Sequence, residues 1–424
     1  MKPTHRVPRR LLGAALCACA AALAGCGGGN VSGNINVVVP PPPEVTGTLL
    51  KVTELGAPLA ASDARQLLLQ LPEVAALPQA QRDALAAEVQ FSVRGFAFEY
   101  TTKGPNGEPR KASALALLPV SPTGAVATVA YMHGTSTKRS EIPSAGQYDE
   151  NQEPALLFAA RGRLVVAPDY LGLGTSDLSY HPYLHRDTLA ASGRDALIAA
   201  AELAKQKALA LNGDLFVMGY SEGGFAAGAL QRRLAQAPIN ALALRGTMSI
   251  AGPLDLSKAV DFALSTDPAT GRASGRSVYS AFTIWAYQRV YGNLYSQATE
   301  VFNPPYAGQL DALFDGTRAA DEIAAALPAS PRQLLTQGAL AATLNGSNSI
   351  AARIRDNDVI DLNPAASMVS CHGTDDDTVP FASTTSARSR LAARGFTLTV
   401  VELTGKDHVS AYVPCMLEAV QRFR

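Results

Sequence analysis

Net charge is the first thing this chain lacks. Thirty-six lysines and arginines meet thirty-six aspartates and glutamates, for a formal charge of +0, and no block of one sign interrupts them. That balance argues against nucleic acid as a partner, because phosphate backbones are gripped by basic surfaces. Histidine is also scarce: His5, His133, His181, His185, His372 and His408 are the whole supply. His181 and His185 have an i, i+4 spacing that can mimic a metal pair. Pro182 follows the first, no Glu lies between them and no third ligand is evident, so packing and hydrogen bonding at a site rim is the expected role. Cysteine occurs five times and tryptophan once. There is no internal repeat. The apolar run Leu11–Ala24 falls short of the ~20 residues a transmembrane helix needs.

What is present is apolar residue, 47% of the chain, enough for one large core. The N-terminus carries Lys2, Arg6, Arg9 and Arg10 ahead of the short apolar run, the pattern of a secretory signal. Its end, Leu23-Ala24-Gly25-Cys26, resembles the lipobox of bacterial lipoproteins, which implies cleavage before Cys26 and a lipid on its thiol. An ordinary cleaved signal with a free Cys26 is the alternative. Gly27-Gly28-Gly29 and Pro40-Pro41-Pro42-Pro43 then read as a flexible and extended tether. The expected organisation is a signal over 1–25, a tether over 26–45, a catalytic body over 46–256 and 366–424, and a helical insertion over 257–365. Cys17 and Cys19 leave with the signal, so an exported mature domain keeps only Cys371 and Cys415. An oxidising compartment favours pairing them; two buried thiols are the alternative.

Alternating apolar runs and helical patterns predict a mainly parallel sheet with helices on both faces. Residues 62–88 read as a helical lead-in, and Phe91–Thr101 and Ala112–Leu118 as a hairpin around Gly104-Pro105-Asn106-Gly107. Ala125–Met132 and Leu164–Ala167 read as buried strands, and Leu189–Gln206 as a helix. Leu215–Gly219, Leu242–Ile250, Ser367–Cys371 and Thr397–Leu403 read as further strands, and Val409–Phe423 as a closing helix. Between Leu256 and Ala366 the alternation gives way to a helical, aromatic-rich stretch, read as a cap with its own core.

Chemistry enters at Gly219-Tyr220-Ser221-Glu222-Gly223. It follows the apolar Leu215-Phe216-Val217-Met218 and precedes a small-residue helical stretch, Gly224–Leu230. That is the strand–turn–helix setting of a nucleophile elbow, whose glycines let strand and helix approach closely. A serine there needs an acid and then a histidine further along the chain. Only His372 and His408 follow Ser221, and Asp375, Asp376 and Asp377 lie between them. If one of those aspartates is the acid, His408 is the base, in a loop beyond a predicted strand.

The chain resembles an exported α/β-hydrolase of the secretory lipase type, similar to the fungal lipase A family and its bacterial relatives. The resemblance rests on Tyr131-Met132-His133-Gly134-Thr135, Pro168-Asp169-Tyr170-Leu171-Gly172-Leu173-Gly174, His181-Pro182-Tyr183-Leu184, the elbow, and His372-Gly373…Asp376…Val379-Pro380. It covers about residues 90–424, the cap least well. It implies an α/β-hydrolase fold with a helical cap, hydrolysis of carboxylic esters, and Asp376 as the acid among the three aspartates. Backbone N–H groups of Glu222 and Thr135 are expected to form the oxyanion hole, with the Thr135 hydroxyl as a further donor. Asp169 precedes the serine and is expected to anchor a loop.

The expected partners are a small-molecule or lipid ester and, through Cys26, a membrane; Gly27 after Cys26 points to the outer membrane of a Gram-negative cell. No cofactor or metal is expected, and the chain is expected to be a monomer. Two other readings share the elbow: a serine peptidase of the prolyl-oligopeptidase type, for whose propeller residues 46–90 are too few, and a non-catalytic surface binding protein, which would need none of the three residues.

Overall fold

Strands that are apolar on both sides need cover on both sides, and the fold supplies it. The computed structural model describes residues 46–146, 153–267, 275–360 and 367–423. Its nine strands are β1 (Leu49–Glu54), β2 (Val93–Lys103), β3 (Pro109–Pro119), β4 (Val126–Met132), β5 (Leu164–Pro168), β6 (Leu211–Tyr220), β7 (Ala243–Ile250), β8 (Met368–Gly373) and β9 (Leu398–Leu403). They make one sheet in the order β1-β2-β3-β5-β4-β6-β7-β8-β9. The first three pairings, β1 with β2, β2 with β3 and β3 with β5, are antiparallel. Every pairing from β5 to β9 is parallel.

The helices are α1 (Ala61–Gln70), α2 (Pro72–Ala75), α3 (Gln79–Glu88), α4 (Glu153–Ala160), α5 (Arg186–Gln206), α6 (Glu222–Gln236), α7 (Leu256–Ser265), α8 (Arg276–Tyr291), α9 (Leu310–Leu313), α10 (Ala320–Ala326), α11 (Pro331–Leu334), α12 (Gln337–Leu344), α13 (Ser349–Asp356), α14 (Phe381–Ala392) and α15 (Tyr412–Arg422). Side chains alternate across a strand, and β6 shows the result. Leu215 and Val217 enter a core shared with α5, α6 and α14. Phe216 and Met218 enter a second core shared with α1, α4 and α15. Helices α7–α13 run between β7 and β8, where a cap was expected, and Phe282, Trp285, Tyr287, Phe302 and Phe314 are buried there. Those aromatics are continuous with the first core.

Two elements depart from expectation. The lead-in is three helices rather than one, because Pro72 and Pro78 stand at the starts of α2 and α3, where proline's missing N–H is tolerated and the residue before it is pushed out of helical geometry. Strand β1 was not foreseen: it lies at the sheet edge and is half-buried to exposed, so it carries little apolar alternation. The signal, Cys26 and the tether lie outside the described residues. No described helix is long and apolar enough to cross a membrane.

Candidate active site

The order of strands reverses at β4, with β5 on one side and β6 on the other, and such switch points open a crevice beyond the strands' carboxyl ends. Ser221 follows β6, Thr135 follows β4, Asp376 follows β8 and His408 follows β9. Ser221 has φ 57° and ψ −119°, a combination L-residues seldom adopt and one that holds about 1–3 kcal/mol of strain. The turn is sterically possible because glycines stand two residues before and two residues after the serine. A Cβ on Gly223 would stand 1.9 Å from the Met132 carbonyl oxygen, and one on Gly219 would stand 2.1 Å from that of Gly223.

Ser221 Oγ lies 3.0 Å from His408 Nε2. His408 Nδ1 lies 2.7 Å from Asp376 Oδ2. Asp376 is buried, and its other oxygen accepts the backbone N–H groups of Thr378 and Val379 at 2.9 and 2.8 Å. Burial alone pushes this carboxyl up, but the hydrogen bonds from His372 and His408 outweigh it and hold the pKa down to about 2. Of the neighbours, the Asp375 carboxylate accepts from the Thr374 hydroxyl, and the backbone carbonyl of Asp377 accepts from Arg276 Nε of α8 at 2.7 Å.

Sequence reasoning missed two contributors. His372, passed over as a base, has Nε2 3.0 Å from Asp376 Oδ2 and 2.9 Å from the Val379 carbonyl, with Nδ1 2.8 Å from the Thr384 hydroxyl. The acid therefore faces two histidines. The i, i+4 spacing of His372 and Asp376 was the available signal. Tyr220, inside the elbow, donates its hydroxyl to the His408 carbonyl at 3.2 Å and packs its ring 5.0 Å from the imidazole. The Cys371–Cys415 disulfide, expected from the sequence, is present and joins β8 to α15, on either side of the acid and histidine loops.

Glu222 is the first residue of α6, where a helix leaves its N–H groups without intrahelical carbonyls. A Cβ on Gly134 would lie 4.0 Å from that of Ser221, so the Gly134-Thr135 turn borders the serine. The Thr135 hydroxyl, expected as a further donor, lies 3.1 Å from the Tyr183 hydroxyl. His181 and His185 are buried; His185 bonds Thr188 and His181 bonds Leu171 and Glu222. Asp169 ties loops together, accepting from the Ser113 and Ser144 hydroxyls. Among the described residues no group of three His, Cys, Asp or Glu is placed to hold a metal ion. A cavity of about 60 Å³ opens on Ser221, walled mainly by apolar atoms of Leu256 and Val260 from α7, Tyr279 from α8, and Tyr183 and Leu184.

A TM-score of 0.77 relates this architecture to the rice cell wall degrading esterase LipA from Xanthomonas oryzae, at 25% identity over 88% of this chain and 95% of that one. The chain has the α/β-hydrolase fold. A Legionella pneumophila protein classed as a hydrolase matches this α/β-hydrolase with TM-score 0.78, 26% identity, and coverage of 88% of this chain and 97% of that one. Candida antarctica lipase A in its closed state shares the fold, with TM-score 0.65 at 14% identity over 89% and 82% of the two chains. The two nearer likenesses support a hydrolase. No family profile and no curated protein matches the chain.

Proposed function

We propose that this α/β-hydrolase is a carboxylic-ester hydrolase that works through Ser221, His408 and Asp376 and an acyl-enzyme. The observation that carries the proposal is the unbroken line Ser221 Oγ–His408 Nε2, His408 Nδ1–Asp376 Oδ2 at 3.0 and 2.7 Å, starting from a serine in elbow conformation. With Asp376 ionised, Nδ1 carries the proton and Nε2 is left to accept one. Ser221 gives its proton to Nε2 as its oxygen attacks the ester carbonyl, and His408 returns it to the departing alcohol. Water then repeats the sequence on the acyl-enzyme. The N–H groups of Glu222 and Thr135 receive the oxyanion; one such donor is worth about 3–4 kcal/mol in the transition state. His372 and the two loop amides keep Asp376 ionised and aimed. The apolar pocket wall suits an apolar acyl or aryl group.

The test is hydrolysis of p-nitrophenyl esters of increasing chain length, with a prolyl-peptide anilide alongside. Esters should turn over and the anilide should not, and Ser221→Ala should abolish ester turnover while circular dichroism stays native. Anilide cleavage would favour the peptidase reading. Residues 46–92, with β1 and three short helices, form no propeller. We also propose that the protein is exported and held at a membrane through lipidated Cys26, on the strength of the signal-like N-terminus, the lipobox-like Leu23–Cys26 and the Gly/Pro tether.

A further inference from the structure

The residue after the nucleophile does more than lend its backbone. Glu222 is buried, its side chain 0% exposed, and Oε1 lies 2.9 Å from His181 Nε2, itself 2% exposed. The Nδ1 of His181 faces the Leu171 carbonyl at 2.8 Å, so that nitrogen carries a proton. One further proton must then lie between Nε2 and Oε1, whichever partner holds it. Among the described residues Glu222 Oε2 has no hydrogen-bond partner. A buried carboxylate held for its charge gathers donors on both oxygens, as Asp376 does. Glu222 is held by one oxygen alone, by His181 and by a longer contact from the Leu184 N–H at 3.5 Å.

Two residues on from His181, Tyr183 reaches the other side of the serine, its hydroxyl 3.1 Å from Thr135 Oγ1. The loop that carries both is itself fixed. The ring of Tyr183 stacks on Phe282 of α8 at 4.5 Å and 7°, and Tyr287 of α8 donates to the Leu184 carbonyl at 2.8 Å. The His181 ring lies parallel to Tyr170, whose hydroxyl donates to the His133 carbonyl at 3.0 Å. One short loop thus grips the side chains of the two residues expected to supply the oxyanion N–H groups, and the cap helix grips that loop.

We infer that His181 and Tyr183 are positioning residues for the oxyanion hole: His181 fixes the Glu222 peptide, Tyr183 fixes the Thr135 peptide, and α8 of the cap holds the two in register. The inference rests on the ester-hydrolase reading. Its distinguishing property is that shape, not charge, matters at residue 222. A glutamine amide can donate to Nε2 of a neutral His181 while Nδ1–H keeps Leu171, at the cost only of the long 3.5 Å contact from the Leu184 N–H, so Glu222→Gln preserves the short His181 contact and Glu222→Leu destroys it.

The experiment compares Glu222→Gln, Glu222→Leu, His181→Phe and Tyr183→Phe on one p-nitrophenyl ester, with thermal melting and affinity for an alkylboronic acid, which forms a tetrahedral adduct on a reactive serine. Interactions made only in the transition state lower kcat and leave KM alone. Glu222→Leu and His181→Phe should lose roughly tenfold or more in kcat, below the roughly 10²–10³-fold cost of deleting an oxyanion donor outright. KM should hold, and boronate affinity should fall in parallel with kcat. Glu222→Gln should stay within about threefold of wild type, as the conservative rescue of a positioning contact rather than a charge. Tyr183→Phe keeps the stack on Phe282 and loses only the hydroxyl, so it reports even if the other variants fail to fold; its kcat and boronate affinity should fall together by a few-fold. Folded Glu222→Leu or Tyr183→Phe protein with wild-type kcat and boronate affinity overturns the inference, as does Glu222→Gln falling as far as Glu222→Leu. Ester turnover surviving in Ser221→Ala would instead sink the serine mechanism itself.

Discussion

At residue scale, the choice among three adjacent aspartates has a physical basis. Asp376 alone meets His408, and it does so with both oxygens saturated by donors. Asp376→Asn should lower turnover by about 10⁴-fold, because an amide in this place favours the wrong imidazole tautomer; Asp375→Asn and Asp377→Asn should change kcat little. Steady-state kinetics of the three variants decides it, and greater damage at either neighbour would contradict the assignment. Two other buried histidines weaken the fold toward acid, and buried Asp169, pushed up to about 6, acts in the opposite direction over the same range. Burial pushes His133 and His185 down to about 4 from the ordinary 6.5. Between those values the unfolded chain binds histidine protons that the folded chain does not, so the histidines' contribution is full above pH 6.5 and falls as pH drops toward 4. The Asp169 contribution is common to wild type and His185→Asn, so the urea midpoint of His185→Asn should lose less, relative to wild type, between pH 7 and pH 4.5. The same pH dependence in both proteins would contradict the burial argument.

At element scale, the Cys371–Cys415 bridge ties β8 to α15 across a separation of 44 residues. Closing a loop of that size restricts the unfolded chain by about 4 kcal/mol. The bridge also braces the strand before Asp376 and the helix after His408. Reduction should lower Tm and esterase activity together, measured on the same sample; activity unchanged at a lowered Tm would confine the bridge to stability. Elements were legible in the sequence where local pattern decides them. The apolar run of β6, the glycines of the elbow and the order serine, aspartate, histidine are local or ordinal signals, whereas Asp376 among its neighbours was singled out only by the family resemblance. Strand β1 was not legible, because an edge strand with one half-exposed face carries weak alternation. The His181–Glu222 and Tyr183–Thr135 contacts join residues 41 and 48 positions apart, and no pattern within one segment announces such pairs. His372 was half-legible: its spacing to Asp376 was visible, but only the turn after β8 folds the imidazole back onto the carboxylate.

At the scale of the whole molecule, the parallel part of the sheet gathers four loops at one edge, and the helices between β7 and β8 line the pocket there with an aromatic core continuous with the body. Besides walling the pocket, these helices hold two of the site's loops by hydrogen bonds, Arg276 on the acid loop and Tyr287 on the His181 loop. A substitution in α8 can therefore alter turnover without lining the pocket. The proposed attachment is the other matter at this scale. Cys26→Ser should shift the protein from the membrane to the soluble fraction as active enzyme, or leave an uncleaved precursor, read by fractionation and intact mass. Wild-type protein found wholly in the soluble fraction would contradict the anchor.

The central claim is that Ser221 becomes acylated during ester turnover. The most direct measurement mixes the protein with a p-nitrophenyl ester, quenches in acid within the first turnovers and maps the peptides by mass spectrometry. The account predicts the acyl group on the peptide that carries Ser221, accumulating with the burst of nitrophenol and absent in Ser221→Ala. Sustained ester turnover with no acyl group on Ser221, or with the group on another residue, would contradict it.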